Sequence, residues 1–180
     1  MSDYEFIVGN NNNNSDSYGG DEIINAMENI SLDNKTYSTI LCIDIGILHL
    51  GLAAIVYDED TYEFTRVVGV DLLDITKFHH PEGINSSTCN LKHSKTFTDW
   101  LNHVFLYYKH VFDGVDVILI ERQPPCGFVA VEQLIFSQYR EKAILIAPNS
   151  VHKHFNLGGY DYETRKVMVV DIAMKHINDP

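Results

Sequence analysis

Two acidic residues stand where acids are expensive. Asp44 lies in LCIDIG and Glu121 in ILIERQ, runs of Leu, Ile and Val that read as strands, and an ionised carboxylate buried alone in such a strand is strongly unfavourable. If the two strands are neighbours, their acids converge at one sheet edge, where a hard divalent cation taking oxygen ligands relieves the repulsion. That is the chemistry of a magnesium site. Gly46, two residues after Asp44, lets the backbone turn tightly beside the site and leaves room for a phosphate. A plainer alternative stays open on spacing alone: Asp44 caps a turn, and Glu121 pairs with Arg122 or a helix end. A second constellation is His79, His80, Cys89 and His93, four imidazole or thiolate groups in a polar stretch of fifteen residues. These are zinc-ligand types, but the spacing is not that of a finger, and surface histidines in a polar loop are the alternative.

The elements that must position these groups are legible in outline. Thr39 to Ile45 and the run LGLAAIVYD predict a hairpin turning at Gly46 to His49, and Tyr62 to Val70 predicts a third antiparallel strand. Residues 71–95 turn polar and irregular and read as a long connection. Phe97, Trp100, Leu101, Val104, Phe105, Tyr108 and Phe112 recur at helical spacing up to Gly114, so this aromatic stripe reads as core rather than as a base-stacking platform. Of the adjacent Tyr107 and Tyr108, one is expected to face outward. Val115 to Ile120 predicts a buried central strand ending at Glu121, after which Pro124-Pro125 breaks the chain. A helix over about Val129 to Lys142, a strand from Ala143 to Ala147, a loop through Gly158-Gly159 and a helix from about Tyr162 to Ile177 follow. The predicted class is mixed α/β, with three antiparallel strands followed by helix, strand, helix, strand, helix.

Length and composition bound the partners. The 180 residues, 45% hydrophobic and 11% aromatic, suffice for one domain with an appended tail and exclude a wholly disordered chain. Residues 1–37 carry five consecutive Asn and seven acids against one base, and predict a disordered acidic arm; Ile23, Ile24, Met27 and Ile30 are compatible with a short helix at 21–31. The domain is expected over 38–180. The net charge of −12 argues at face value against a polyanionic partner, yet from Arg122 to Lys175 seven bases meet five acids, so an anion-binding face is expected there. Three widely spaced cysteines predict reduced thiols. No apolar run is long enough to span a bilayer, and the start MSDYEFIVGNNNNN lacks the pattern of a secretory signal. The expectation is a soluble intracellular protein with no membrane partner.

With IDIG on the first strand, ILIERQP at the end of the fourth, and AILIAPNSVHKHFNLGGYDYETRKVMVVDIAMK beyond it, the chain over about 38–180 resembles the RuvC-like Holliday junction resolvases of poxviruses and other large DNA viruses. These belong to the ribonuclease-H-like nucleases. The resemblance implies a structure-selective DNA endonuclease that cuts four-way junctions or other branched DNA by phosphodiester hydrolysis, acts as a homodimer and works at viral replication sites if the source is viral. It implies Asp44 as the first-strand carboxylate bridging two magnesium ions, for which manganese substitutes, and Glu121 as the fourth-strand carboxylate binding one of them. Lys153, Lys166 and Arg122 become the bases that meet the phosphate backbone without reading sequence. Resolvases of this type complete the metal site with acids on a C-terminal helix in a motif like DDxxD, whereas this sequence reaches Pro180 without one. The expectations are a truncated chain that binds magnesium weakly, ligands supplied by another chain, or a module that binds branched DNA or a protein without cutting. Asp171, on the last predicted helix, matches the family's Lys-bearing helix rather than its catalytic one. A phosphotransferase of the actin-like class, which also uses an acid and Gly on its first strand, is disfavoured because the chain is too short for two lobes.

Overall fold

The computed structural model describes residues 36–76 and 96–178. The acidic arm, the helix expected at 21–31 and the quartet His79, His80, Cys89 and His93 lie outside the described residues. Ten elements follow in chain order: β1 (Tyr37–Ile45), β2 (His49–Asp58), β3 (Phe64–Asp74), α1 (Phe97–Tyr107), α2 (Lys109–Gly114), β4 (Val117–Glu121), α3 (Val129–Gln138), β5 (Ala143–Ile146), α4 (Pro148–His154) and α5 (Tyr162–Asn178).

The five strands form one sheet in the order β3-β2-β1-β4-β5. β1, β2 and β3 pair antiparallel, while β4 runs parallel to both β1 and β5. Alternation decides the two faces. Leu41, Ile43 and Ile45 of β1, Leu50, Leu52 and Ala54 of β2, and Ile118 and Ile120 of β4 are buried in a core shared with Leu101, Val104, Phe105, Phe112, Val131 and Ile135 from the helices. The intervening residues, Cys42 and Asp44, Gly51 and Ala53, Leu119 and Glu121, are directed to the opposite face. Phe112 stacks on Tyr139 with ring centroids 4.8 Å apart, and Phe105 meets both rings edge-on. The aromatic stripe is therefore core, as its spacing predicts.

Several boundaries differ from the sequence reading. β3 begins at Phe64 rather than Tyr62 because Tyr62 sits at φ 57° in the hairpin turn, which the Asp58 carboxylate closes by accepting the Asp60 and Thr61 N–H groups at 2.9 and 3.2 Å. The same strand continues to Asp74, through residues assigned above to a polar connection. Asp71 and Asp74 tolerate a strand because each has local work: Asp71 accepts the Tyr108 hydroxyl at 2.8 Å, and Asp74 accepts Thr76 N–H and Oγ1 at 3.0 and 2.6 Å. The helix expected from Phe97 to Gly114 is broken at Tyr108, which leaves helical geometry at φ −92°, ψ 16°. Its ring is fully buried, and its hydroxyl reaches back across the sheet to Asp71. Tyr107 is half-buried against the core, its ring centroid 5.3 Å from that of Tyr108, so neither ring is turned out to water. α3 ends at Gln138 instead of Lys142; Lys142 leaves it and donates its ammonium to the carbonyls of Asp113 and Val115 at 3.0 and 2.8 Å. The loop expected after β5 contains α4, whose Pro148 occupies the first turn, a position where the missing N–H does no harm.

Candidate metal centre

The parallel pairing of β1 with β4 sets the site. Ile43 is level with Ile120, so the next step along each strand brings Asp44 level with Glu121 at the carboxyl ends of two adjacent central strands. Both leave the sheet on the face opposite α1, α2 and α3. Asp44 is exposed and Glu121 half-buried, and their carboxyl groups are within hydrogen-bonding reach of each other. Burial, the hydrogen bond with Asp44 and the Asp44 charge together push the Glu121 carboxyl up to about 7. Like charges this close make it costly to ionise both acids at once.

The plainer alternative does not hold. The turn after β1 is closed by backbone, Gly46 N–H donating to His49 C=O at 2.9 Å, and among the described residues Asp44 caps no turn. Gly46 is not needed for a left-handed conformation; a Cβ there would lie 3.2 Å from the His49 carbonyl oxygen, which is the close approach that favours glycine. Arg122 makes no ion pair with Glu121 among the described residues. Its side chain is exposed, and its N–H donates to Ile146 C=O at 2.8 Å, prolonging the parallel ladder by one residue past Glu121. On the other flank Gly51 of β2 stands opposite Asp44. A Cβ on Gly51 would lie 3.5 Å from the Asp44 Cβ and 4.0 Å from Oδ2, so any larger side chain would crowd the carboxylate. Spacing gave no hint of Gly51, because only the antiparallel register brings it to the site.

The remaining expected residues lie elsewhere. Lys153 is exposed on α4, and Lys166 is exposed on α5 with its ammonium 4.5 Å from the centroid of the Tyr162 ring. The hydrogen bond with Tyr162 raises the Lys166 pKa, which keeps the amine charged. α5 starts on Asp161, whose carboxylate accepts Thr164 N–H at 3.0 Å and Thr164 Oγ1 at 2.7 Å, an N-cap that holds Asp161 below its ordinary pKa. Asp171 is exposed on the same helix. Among the described residues no third His, Cys, Asp or Glu joins Asp44 and Glu121 in a metal-sized cluster. The donor set nevertheless fits a divalent cation: two adjacent oxygen ligands of like charge at the carboxyl ends of neighbouring strands.

No family model matches the chain, and no curated protein matches it in sequence. Solved structures do match. The fowlpox virus resolvase in complex with its substrate Holliday junction DNA superposes at a TM-score of 0.53, with 19% identity over 78% of this chain and 76% of that one. The chain has the RuvC-like resolvase fold. Its mixed sheet of three antiparallel strands extended by two parallel ones is the ribonuclease-H-like arrangement that this fold uses. The yeast mitochondrial Holliday junction resolvase is similar at 16% identity, covering 83% of this chain and 68% of its own, with a TM-score of 0.48. Thermus thermophilus RuvC is similar at 11% identity over 71% of this chain and 74% of that one, with a TM-score of 0.37. No helix among the described residues is long and apolar enough to cross a membrane.

Proposed function

We propose that this protein is a divalent-metal-dependent endonuclease for branched DNA, with the Holliday junction as its substrate. The observation that carries the reading is the juxtaposition of Asp44 and Glu121 at the ends of β1 and β4, supported by a fold shared with a resolvase solved on junction DNA. Asp44 and Glu121 would hold magnesium or manganese, which would supply a Lewis acid for the phosphoryl oxygens and ionised water at neutral pH. The residues of the chain do the rest. Asp44, exposed at the carboxyl end of β1 with Gly51 beside it, leaves space for a phosphodiester to reach the pair. Lys153, Lys166 and Arg122 neutralise flanking phosphates, so selectivity comes from junction shape rather than base sequence. A homodimer would present one such site to each of the two symmetric strands of a junction.

A second reading, a module that binds branched DNA without cutting it, is favoured by the two-member carboxylate set among the described residues. One experiment separates the two. The full chain is incubated with a synthetic four-way junction and magnesium or manganese, beside Asp44→Asn and Glu121→Gln. Paired symmetric nicks, reduced at least about 100-fold in each variant while junction binding persists, are the expected result for loss of a metal ligand. Junction binding with no nicks from any of the proteins establishes the second reading.

A further inference from the structure

The chain between β4 and α3 is RQPPCGF, a tight connection after Glu121 with two prolines that have no backbone N–H. Gly127 N–H donates to Pro124 C=O at 2.7 Å, and a Cβ on Gly127 would lie 2.9 Å from Pro124 Cδ, so the turn admits no side chain there. With the prolines unable to donate, the strand end has few ways to be anchored. Arg122 uses its N–H on β5, at Ile146 C=O. Gln123 uses its N–H on Glu132, donating to Oε2 at 2.5 Å, while its side-chain Nε2 lies 3.4 Å from the Glu121 carbonyl oxygen.

Glu132 is unusual. It sits in the first turn of α3 with only 3% of its surface exposed, and among the described residues it has no ion-pair partner. Its other oxygen accepts Gln133 Nε2 at 2.7 Å. A carboxylate this buried is tolerated because both oxygens are hydrogen-bonded and because the start of a helix favours negative charge. It does not belong to the acidic pair, since no three-membered cluster of acids, His or Cys forms among the described residues. What it touches is the backbone two residues beyond Glu121.

We propose that Glu132 is a positioning residue for Glu121: by holding Gln123 N–H it clamps the end of β4 to α3 while Arg122 clamps it to β5, and so fixes the Glu121 carboxylate against Asp44. The inference rests on the reading of that pair as a cation site. Groups that orient a metal ligand are worth about 10- to 100-fold in metal affinity, and a site needs its ligands held to within about half an ångström.

The test is Mn2+ binding to the full chain, followed by the paramagnetic resonance of free Mn2+, with thermal melts to establish folding. Glu132→Ala is expected to weaken binding about 10-fold or more, and Glu132→Gln to restore it, because an amide oxygen still accepts Gln123 N–H. Glu121→Gln serves as the reference. Loss of binding in Glu121→Gln with wild-type affinity in Glu132→Ala overturns the positioning role and leaves the cation site standing. Wild-type affinity in Glu121→Gln overturns the cation site itself. Should Glu132→Gln bind as weakly as Glu132→Ala, the effect is one of charge and the positioning role is overturned. If Glu132→Ala does not fold, Glu132→Asp, one methylene shorter with the charge kept, takes its place: weakened binding supports the proposal and wild-type affinity overturns it.

Discussion

Asp44 and Glu121 are the residues on which the functional reading turns, and their coupling makes a prediction about the metal-free protein. Glu121 has an ordinary pKa near 4.5 and is pushed up to about 7 in the folded chain. The folded state therefore holds a proton that the unfolded state releases. Its stabilising contribution is complete below about pH 4.5 and is lost as the pH rises through about 7. Partial exposure of Glu121 reduces the full linkage figure, so the loss is on the order of 1–2 kcal/mol. Denaturant melts from pH 4.5 to 8 in chelator are expected to lose that much more in the wild type than in Glu121→Gln, and millimolar Mn2+ at pH 7.5 is expected to recover it. Both acids were conspicuous in the sequence as charges inside apolar runs. Gly51 and Glu132 were not: a glycine in a strand and a glutamate in a helix look ordinary until register sets Gly51 beside Asp44 and packing sets Glu132 on the backbone just past Glu121.

At the scale of elements, the break between α1 and α2 is the clearest case of tertiary override. Helical spacing runs unbroken from Phe97 to Phe112, and nothing local interrupts it. Tyr108 leaves helical geometry while its ring is fully buried and its hydroxyl is satisfied by Asp71 on β3, and a buried hydroxyl left without a partner is costly. Tyr108→Phe leaves Asp71 without that donor and is expected to cost about 1–1.5 kcal/mol of stability in chemical denaturation. α4 shows the opposite failure. Its seven residues begin with proline, which reads as a breaker in sequence although it suits a first helical turn. The strands were legible throughout because β-branched and apolar runs with period two have few other uses. Only their ends moved, at Tyr62 and beyond Val70, where an aspartate-closed turn and two hydrogen-bonded acids replaced the expected boundaries.

For the whole molecule, charge is the property that the proposed junction binding must overcome. A net charge of −12 opposes DNA at long range, and half of that excess belongs to residues 1–37, where seven acids meet one base. Binding by the remaining surface should consequently be sensitive to salt. Lys153 and Lys166 stand exposed on α4 and α5, and each phosphate contact contributes about 0.9 to the slope of log affinity against log salt. Lys153→Ala and Lys166→Ala are each expected to lower that slope by about 0.9 and to weaken binding equally for junctions of different base sequence. Fluorescence anisotropy across a salt series checks it.

The class of fold, the strand and helix order, and the two suspicious acids follow from residue types and periodicity, because hydrophobic patterning is local and a carboxylate among Leu, Ile and Val stands out wherever it falls. That Asp44 and Glu121 are neighbours was decided only in three dimensions. They are separated by the antiparallel strands β2 and β3, and the strand that returns beside β1 is the fourth, with Ile43 level with Ile120. Pairing of that kind depends on the packing of the helices on one face of the sheet, an energy summed over the whole core, and no window of sequence contains it.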